Sequence, residues 1–126
     1  MDDVKSLIQT RIQSVSPDDR IAGVALVLCR TRSNSAVVRD GKKFGGFVMR
    51  KQLLRPPVAP DTKAERLLTH PPVLSPSSRP EDAISLMLQS GCDMLPVIAG
   101  KSFEGMVLAR DLALNHTTLG KMNLEE

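Results

Sequence analysis

The chain has no tryptophan and no tyrosine, and its 126 residues include three phenylalanines, Phe44, Phe47 and Phe103. A surface that holds single-stranded nucleic acid needs aromatic rings on which bases stack, so this composition argues against that partner. No apolar run approaches the roughly 20 residues that a membrane-spanning helix requires. The start, Met1-Asp2-Asp3, is acidic where a signal peptide is basic, so a cytoplasmic chain is expected. Cys29 and Cys92, the two cysteines, lie in apolar segments. They read as core thiols in a reducing compartment rather than as a disulfide. His70 and His116 each stand alone, with no second ligand at metal spacing. No nucleophile–base pair and no paired carboxylates can be placed. Neither an enzyme nor a required cofactor is expected.

The apolar (41%) and charged (25%) fractions are those of an ordinary globular domain, and the length suits one module. Net charge is +3 but uneven. Residues 1–60 hold 11 Lys/Arg against 5 Asp/Glu, net +6, and residues 61–126 hold 6 against 9, net −3. A basic first half is suited to phosphate; a solvated surface is the plainer reading.

The stretch that organises the chain is Gly105-Met106-Val107-Leu108-Ala109-Arg110-Asp111. A glycine that permits close backbone approach precedes three apolar residues, a buried strand in pattern, and a helix start. Backbone N–H groups gather at such a step, and Asp111 would accept hydrogen bonds there while Arg110 meets a phosphate. Asp111 can equally serve as a helix-start cap. The same shape occurs at Gly46-Phe47-Val48-Met49-Arg50-Lys51-Gln52, and 105 − 46 = 59. The offset holds without a gap: Ser75-Pro76 matches Ser16-Pro17, Arg79 matches Arg20, Val97 matches Val38, Gly100-Lys101 matches Gly41-Lys42 and Leu112 matches Leu53. Two copies of one supersecondary unit follow, each too small to bury a good core alone.

The element pattern supports this. Val4, Leu7, Ile8 and Ile12 form a helical stripe over residues 2–13. Ser16-Pro17 suits an N-cap and first helical position for a helix from Asp18 to about Thr31. Strands follow at Ser35 to Arg39 and Phe44 to Val48, with Asp40-Gly41 as the turn, then a short helix near Arg50 to Leu54. Three prolines between Arg55 and Pro60 break the chain. The second copy reads as a helix over 62–69 capped by Asp61, an extended segment 71–74, a helix 80–90 ended by Gly91, strands Met94 to Ile98 and Phe103 to Leu108, and a helix from Ala109 to about Asn115. The organisation expected is 1–55 as first repeat with a leading helix, 56–61 as linker, 62–116 as second repeat and 117–126 as polar tail.

Ser75-Pro76, Ala83, Gly91, Leu95-Pro96-Val97-Ile98 and the Gly105-to-Asp111 stretch, in this order, resemble the CBS domain, the repeat named after cystathionine β-synthase. Ser16-Pro17, Val37-Val38, Gly41 and Gly46 carry the likeness in the first copy. The resemblance implies an α/β (α+β) module of two β-α-β-β-α repeats packed sheet to sheet with pseudo-two-fold symmetry. It implies clefts between repeats for an adenosine-containing ligand, AMP, ADP, ATP or S-adenosylmethionine, and a regulatory role toward a separate, unidentified partner protein. In the family's pattern the Asp holds ribose and a Ser or Thr three positions before it helps. Here Asp111 is kept but Leu108 stands at the hydroxyl position; in the first copy Met49 and Gln52 replace both. The resemblance thus assigns ribose to Asp111, phosphate to Arg110, Arg50 and Lys51, and the adenine walls to Val73, Met94, Pro96 and Leu108. A weaker second site would use Val15, Val37, Met49 and Gln52. A homodimer is expected through Leu53, Leu54, Leu86, Leu112 and Leu114, whose apolar stripes one module does not cover. The alternative is a ligand-free dimerisation or interaction module of the same fold.

Overall fold

In the computed structural model, residues 3–54 and 58–115 are described. The polar tail 117–126, His116 and linker residues 55–57 lie outside them. The first repeat folds as β1 (Ser14–Val15), α1 (Ile21–Thr31), β2 (Ser35–Asp40), β3 (Lys43–Met49) and α2 (Arg50–Leu53). The second has α3 (Pro80–Ser90), β4 (Met94–Ala99), β5 (Ser102–Leu108) and α4 (Ala109–Asn115). β1 runs parallel to β2, and β2 antiparallel to β3. β4 and β5 form an antiparallel pair, and Leu74 bridges in parallel to Val97 where β1 would stand. The chain is thus an α+β protein of two β-α-β-β-α units.

The repeat extends to backbone detail. Both hairpins shift register at the same place, between Val38 and Arg39 and between Val97 and Ile98. Opposite the shifts sit Gly46 and Gly105, at φ +141° and +147°, where side chains are rarely tolerated. The helix ends match as well. Gly91 closes α3 at φ 72°, its N–H donating to the Met87 carbonyl at 2.9 Å. Its equivalent is Arg32, left-handed at φ 55° after α1. A side chain at such a position costs about 1–2 kcal/mol relative to glycine. Arg32→Gly should therefore raise stability by about 1 kcal/mol, read as a higher midpoint in urea; an unchanged or lower midpoint would contradict this.

Local bonding explains the departures from the sequence pattern. α1 begins at Ile21, not Asp18, because Ser16 and Asp19 close their own turn: Ser16 N–H donates to Asp19 Oδ2 at 2.9 Å and Asp18 N–H to Ser16 Oγ at 3.2 Å. The stripe Ile21, Val24 and Leu28 is buried as its spacing requires. The helices expected over 2–13 and 62–69 shrink to 3-10 turns, Lys5–Leu7 and Ala64–Leu67, and Asp61 caps neither. Each turn gives way to extended backbone, which a strand then captures. Gln9 exchanges two bonds with Met106, 2.7 and 2.9 Å, and Thr69 two with Phe47, 2.7 and 2.8 Å.

These captures decide where the compact units lie. One is Ile12–His70; the other joins residues 3–11 to 71–115. The bounds differ from the repeat division 1–55 and 62–116, because each leading segment packs in the other repeat's unit. Val4 and Leu7 lie in the core with Leu74, Ala83, Met87, Leu95, Val97, Val107 and Leu112. Ala64 lies with Val15, Ile21, Val24, Leu28, Ala36, Val38 and Val48. Leu112 is therefore core and not a dimer residue, and Leu53 and Leu86 pack against the two cores. Leu54 (76%) and Leu114 (79%) do stand exposed. Cys29 is exposed rather than a core thiol, and Cys92 is half-buried; both are free.

Candidate functional site

The β5–α4 step is built by three constraints. Gly105 lacks the side chain that would meet the Gln9 carbonyl and Ile8, so the leading segment crosses directly over the strand. Ala109 N–H donates to the Asp93 carbonyl at 2.8 Å and turns the chain from β5 into α4. Asp111 then falls in the first turn of α4, half-buried, and its Oδ2 accepts the Gln9 side-chain Nε2–H at 3.1 Å. Arg110, one residue before, is exposed.

Three of the four residues expected to wall the adenine, Met94, Pro96 and Leu108, lie in the sheet beside this step. Met94 pairs with Leu108, and Pro96 with Met106. Alternation sends Leu95, Val97 and Val107 to the core and puts these four on the opposite face. Pro96 is buried, and its carbonyl accepts the Leu74 N–H at 2.8 Å. Met94 and Leu108 are half-buried, and Val73 is 49% exposed beside Leu74.

The β3–α2 step has the same backbone and different chemistry. Gly46 faces the Thr69 carbonyl at closest approach, and Arg50 N–H donates to the Asn34 carbonyl at 2.7 Å. Gln52, at the position of Asp111, is bonded on both ends of its amide. Its Oε1 accepts Met49 N–H at 2.8 Å and the Thr69 hydroxyl at 3.3 Å, while its Nε2 donates to the Leu67 carbonyl at 2.9 Å. Met49 is further held by the Ser35 hydroxyl, which donates to its sulfur at 3.2 Å. Val15 lies in the helix-side core, away from the sheet face that bears buried Val37. Of the cations, Arg50 donates through Nη2 to the Leu28 carbonyl at 3.2 Å, and Lys51 is exposed. With α2 at four residues and α4 at seven, helix dipoles add little to either step.

The structure therefore brings Asp111, Arg110, Met94 and Leu108 to one step, and turns Gln52 and Met49 into structural ties at the other. Gln9 and Thr69 were not singled out by motif. A signal for them exists: Leu7-Ile8-Gln9 and Leu67-Leu68-Thr69 repeat at an offset of 69 − 9 = 60, one residue from that of the rest. Among the described residues no group of three or more His, Cys, Asp or Glu is placed to hold a metal ion, and no helix is long and apolar enough to cross a membrane.

Residues 64–115 match the model of the CBS domain family. The match begins at the 3-10 turn that packs in the other unit. A search of curated proteins gives no match. Among solved structures, a CBS domain pair/ACT domain protein from Thermotoga maritima is 18% identical, with 92% of this chain and 97% of that one covered at a TM-score of 0.80. CBSX2 in complex with AMP is 19% identical, covered at 98% and 96%, with a TM-score of 0.70. The CBS domain of a bacterial CNNM/CorC family Mg2+ transporter, in complex with ATP, is 11% identical, covered at 87% and 83%, with a TM-score of 0.74.

Proposed function

We propose, from the premise that residues 64–115 are a CBS domain and the chain has the fold of a CBS-domain pair, that this regulatory module binds an adenine nucleotide at the β5–α4 step and signals its occupancy to a separate protein. The observation that carries the reading is Asp111. It keeps the ribose position of the family pattern and is half-buried, with its carboxylate held in the first turn of α4. The AMP and ATP complexes of CBSX2 and the transporter domain support the ligand class. The role is regulatory and not catalytic. Signalling requires that the nucleotide bind one arrangement of the protein more tightly than another.

Charge selects among ligands in this reading. Arg110, beside Asp111 on α4, is the proposed phosphate contact at this step; Lys51 and Arg50 stand at the β3–α2 step, where Arg50 also donates to the Leu28 carbonyl. Leu108 and Met49 lack the hydroxyl that would anchor a neutral nucleoside. Charge-assisted bonds to phosphate are roughly twice as strong as neutral ones. Calorimetric titration of adenosine, AMP, ATP and S-adenosylmethionine should rank AMP or ATP first, with the margin over adenosine narrowing as salt rises. Preference for adenosine or S-adenosylmethionine would overturn the phosphate assignment. A second reading, a ligand-free homodimeric interaction module, is favoured by exposed Leu54 and Leu114. Failure of all four ligands to bind, with twice the chain mass in light scattering, would select it.

A further inference from the structure

We infer that Gln9, from the leading segment, is the positioning residue of the nucleotide site: it orients the Asp111 carboxylate for the vicinal diol of a ribose and so sets discrimination between ribose and deoxyribose. The inference rests on the proposed ribose role of Asp111 and adds to it a residue outside the matched segment 64–115.

Three features make this contact a built one. The Gln9 backbone is fixed, since its N–H and carbonyl both bond Met106, at 2.7 and 2.9 Å. The approach exists because Gly105 has no Cβ to meet the Gln9 carbonyl. The juncture also recurs in the other unit, where Thr69, bonded to Phe47 in the same manner, donates its hydroxyl to Gln52 at 3.3 Å. A leading-segment side chain thus reaches the same first-turn position twice. The chemistry then differs. On Gln52 the acceptor is an amide oxygen that also takes Met49 N–H, so the contact completes a structural tie. On Asp111 the acceptor is a carboxylate, which offers about four lone-pair sites, more than the Gln9 bond at Oδ2 alone can fill.

A diol donates two hydrogen bonds whose directions are fixed by the sugar ring. A carboxylate matches it only when its plane is held, and the Nε2–H bond at Oδ2 holds it. The same amide also carries an acceptor, Oε1. Gln9 and Asp111 together recognise two hydroxyls; a 2′-deoxy sugar supplies one.

The test is titration of AMP and 2′-deoxy-AMP into the wild-type chain and the Gln9→Ala, Gln9→Glu and Asp111→Ala variants, with a thermal melt of each. The wild type should prefer AMP by about tenfold or more, the size of a hydrogen bond to a charged group. Gln9→Ala should weaken AMP by about two- to tenfold, the size of one net hydrogen bond, while 2′-deoxy-AMP changes less, so the ratio falls. Gln9→Glu, which keeps the reach but sets carboxylate against carboxylate, should lower the ratio too. A residue serving folding alone would weaken both ligands equally. An unchanged ratio in Gln9→Ala, with the wild type discriminating and Asp111→Ala impaired, would overturn the role of Gln9 and leave the nucleotide site standing. No AMP binding by the wild type would overturn both.

Discussion

Gly105→Ala should destabilise the protein by about 3 kcal/mol or more, while Gly23→Ala should stabilise it by about 0.5–1 kcal/mol. The two glycines differ in what a methyl group meets. At Gly105, at φ +147°, it meets the Gln9 carbonyl and Ile8. Backbone cannot rotate away as a flexible side chain can, so the leading segment must shift. Its two bonds to Met106 would weaken, and with them the burial of Val4 (0% exposed) and Leu7 (6%). At Gly23, within α1, nothing lies within 4 Å and the gain is that of alanine over glycine in a helix. Thermal melts should place Gly105→Ala on the order of 10 °C below the wild type. Equal melting temperatures would refute the close crossing of the leading segment over β5. Gly46→Ala should also destabilise, since its methyl would sit 2.9 Å from the Thr69 carbonyl.

The second large effect separates the two strand-to-helix steps. Asp111→Ala should weaken AMP by roughly 10- to 150-fold, the value of a hydrogen-bonded charged acceptor, about 1.5–3 kcal/mol. Gln52→Ala should leave AMP binding near wild type and instead cost about 1–3 kcal/mol of stability, because it removes the partners of Met49 N–H, Thr69 and the Leu67 carbonyl. Each variant is thus a control for the other. Equal loss of stability from both, with equal binding, would make the two steps equivalent and remove the distinction drawn from their chemistry.

Much of this was legible in the sequence for one physical reason: a repeat at constant offset fixes two structures at once. The hairpins, the α3 start at Pro80, the Gly91 stop and the β5–α4 step all fall where periodicity and turn residues put them. The leading segments do not. Val4, Leu7 and Ile8 have helical spacing, but the backbone that would continue the helix at Gln9 bonds Met106, 97 residues away. No local pattern reports such a partner. Ser16 failed as a cap because Asp19, three residues on, offered it a local turn. At the site, the position of Asp111 followed from the spacing after Gly105. The bonding of Gln52 was not legible, since an amide at that position is neutral about its use until its partners at Met49, Thr69 and Leu67 are seen.

The measurement that bears most directly on the nucleotide site is calorimetric titration of AMP into the full chain at low salt, for the wild type and Asp111→Ala side by side. The reading of Asp111 as the ribose anchor, with the Gln52 step closed by its own hydrogen bonds, predicts one AMP per chain in the wild type. It also predicts a dissociation constant at least about tenfold higher in Asp111→Ala. Two AMP per chain, or the same dissociation constant in both proteins, would contradict it.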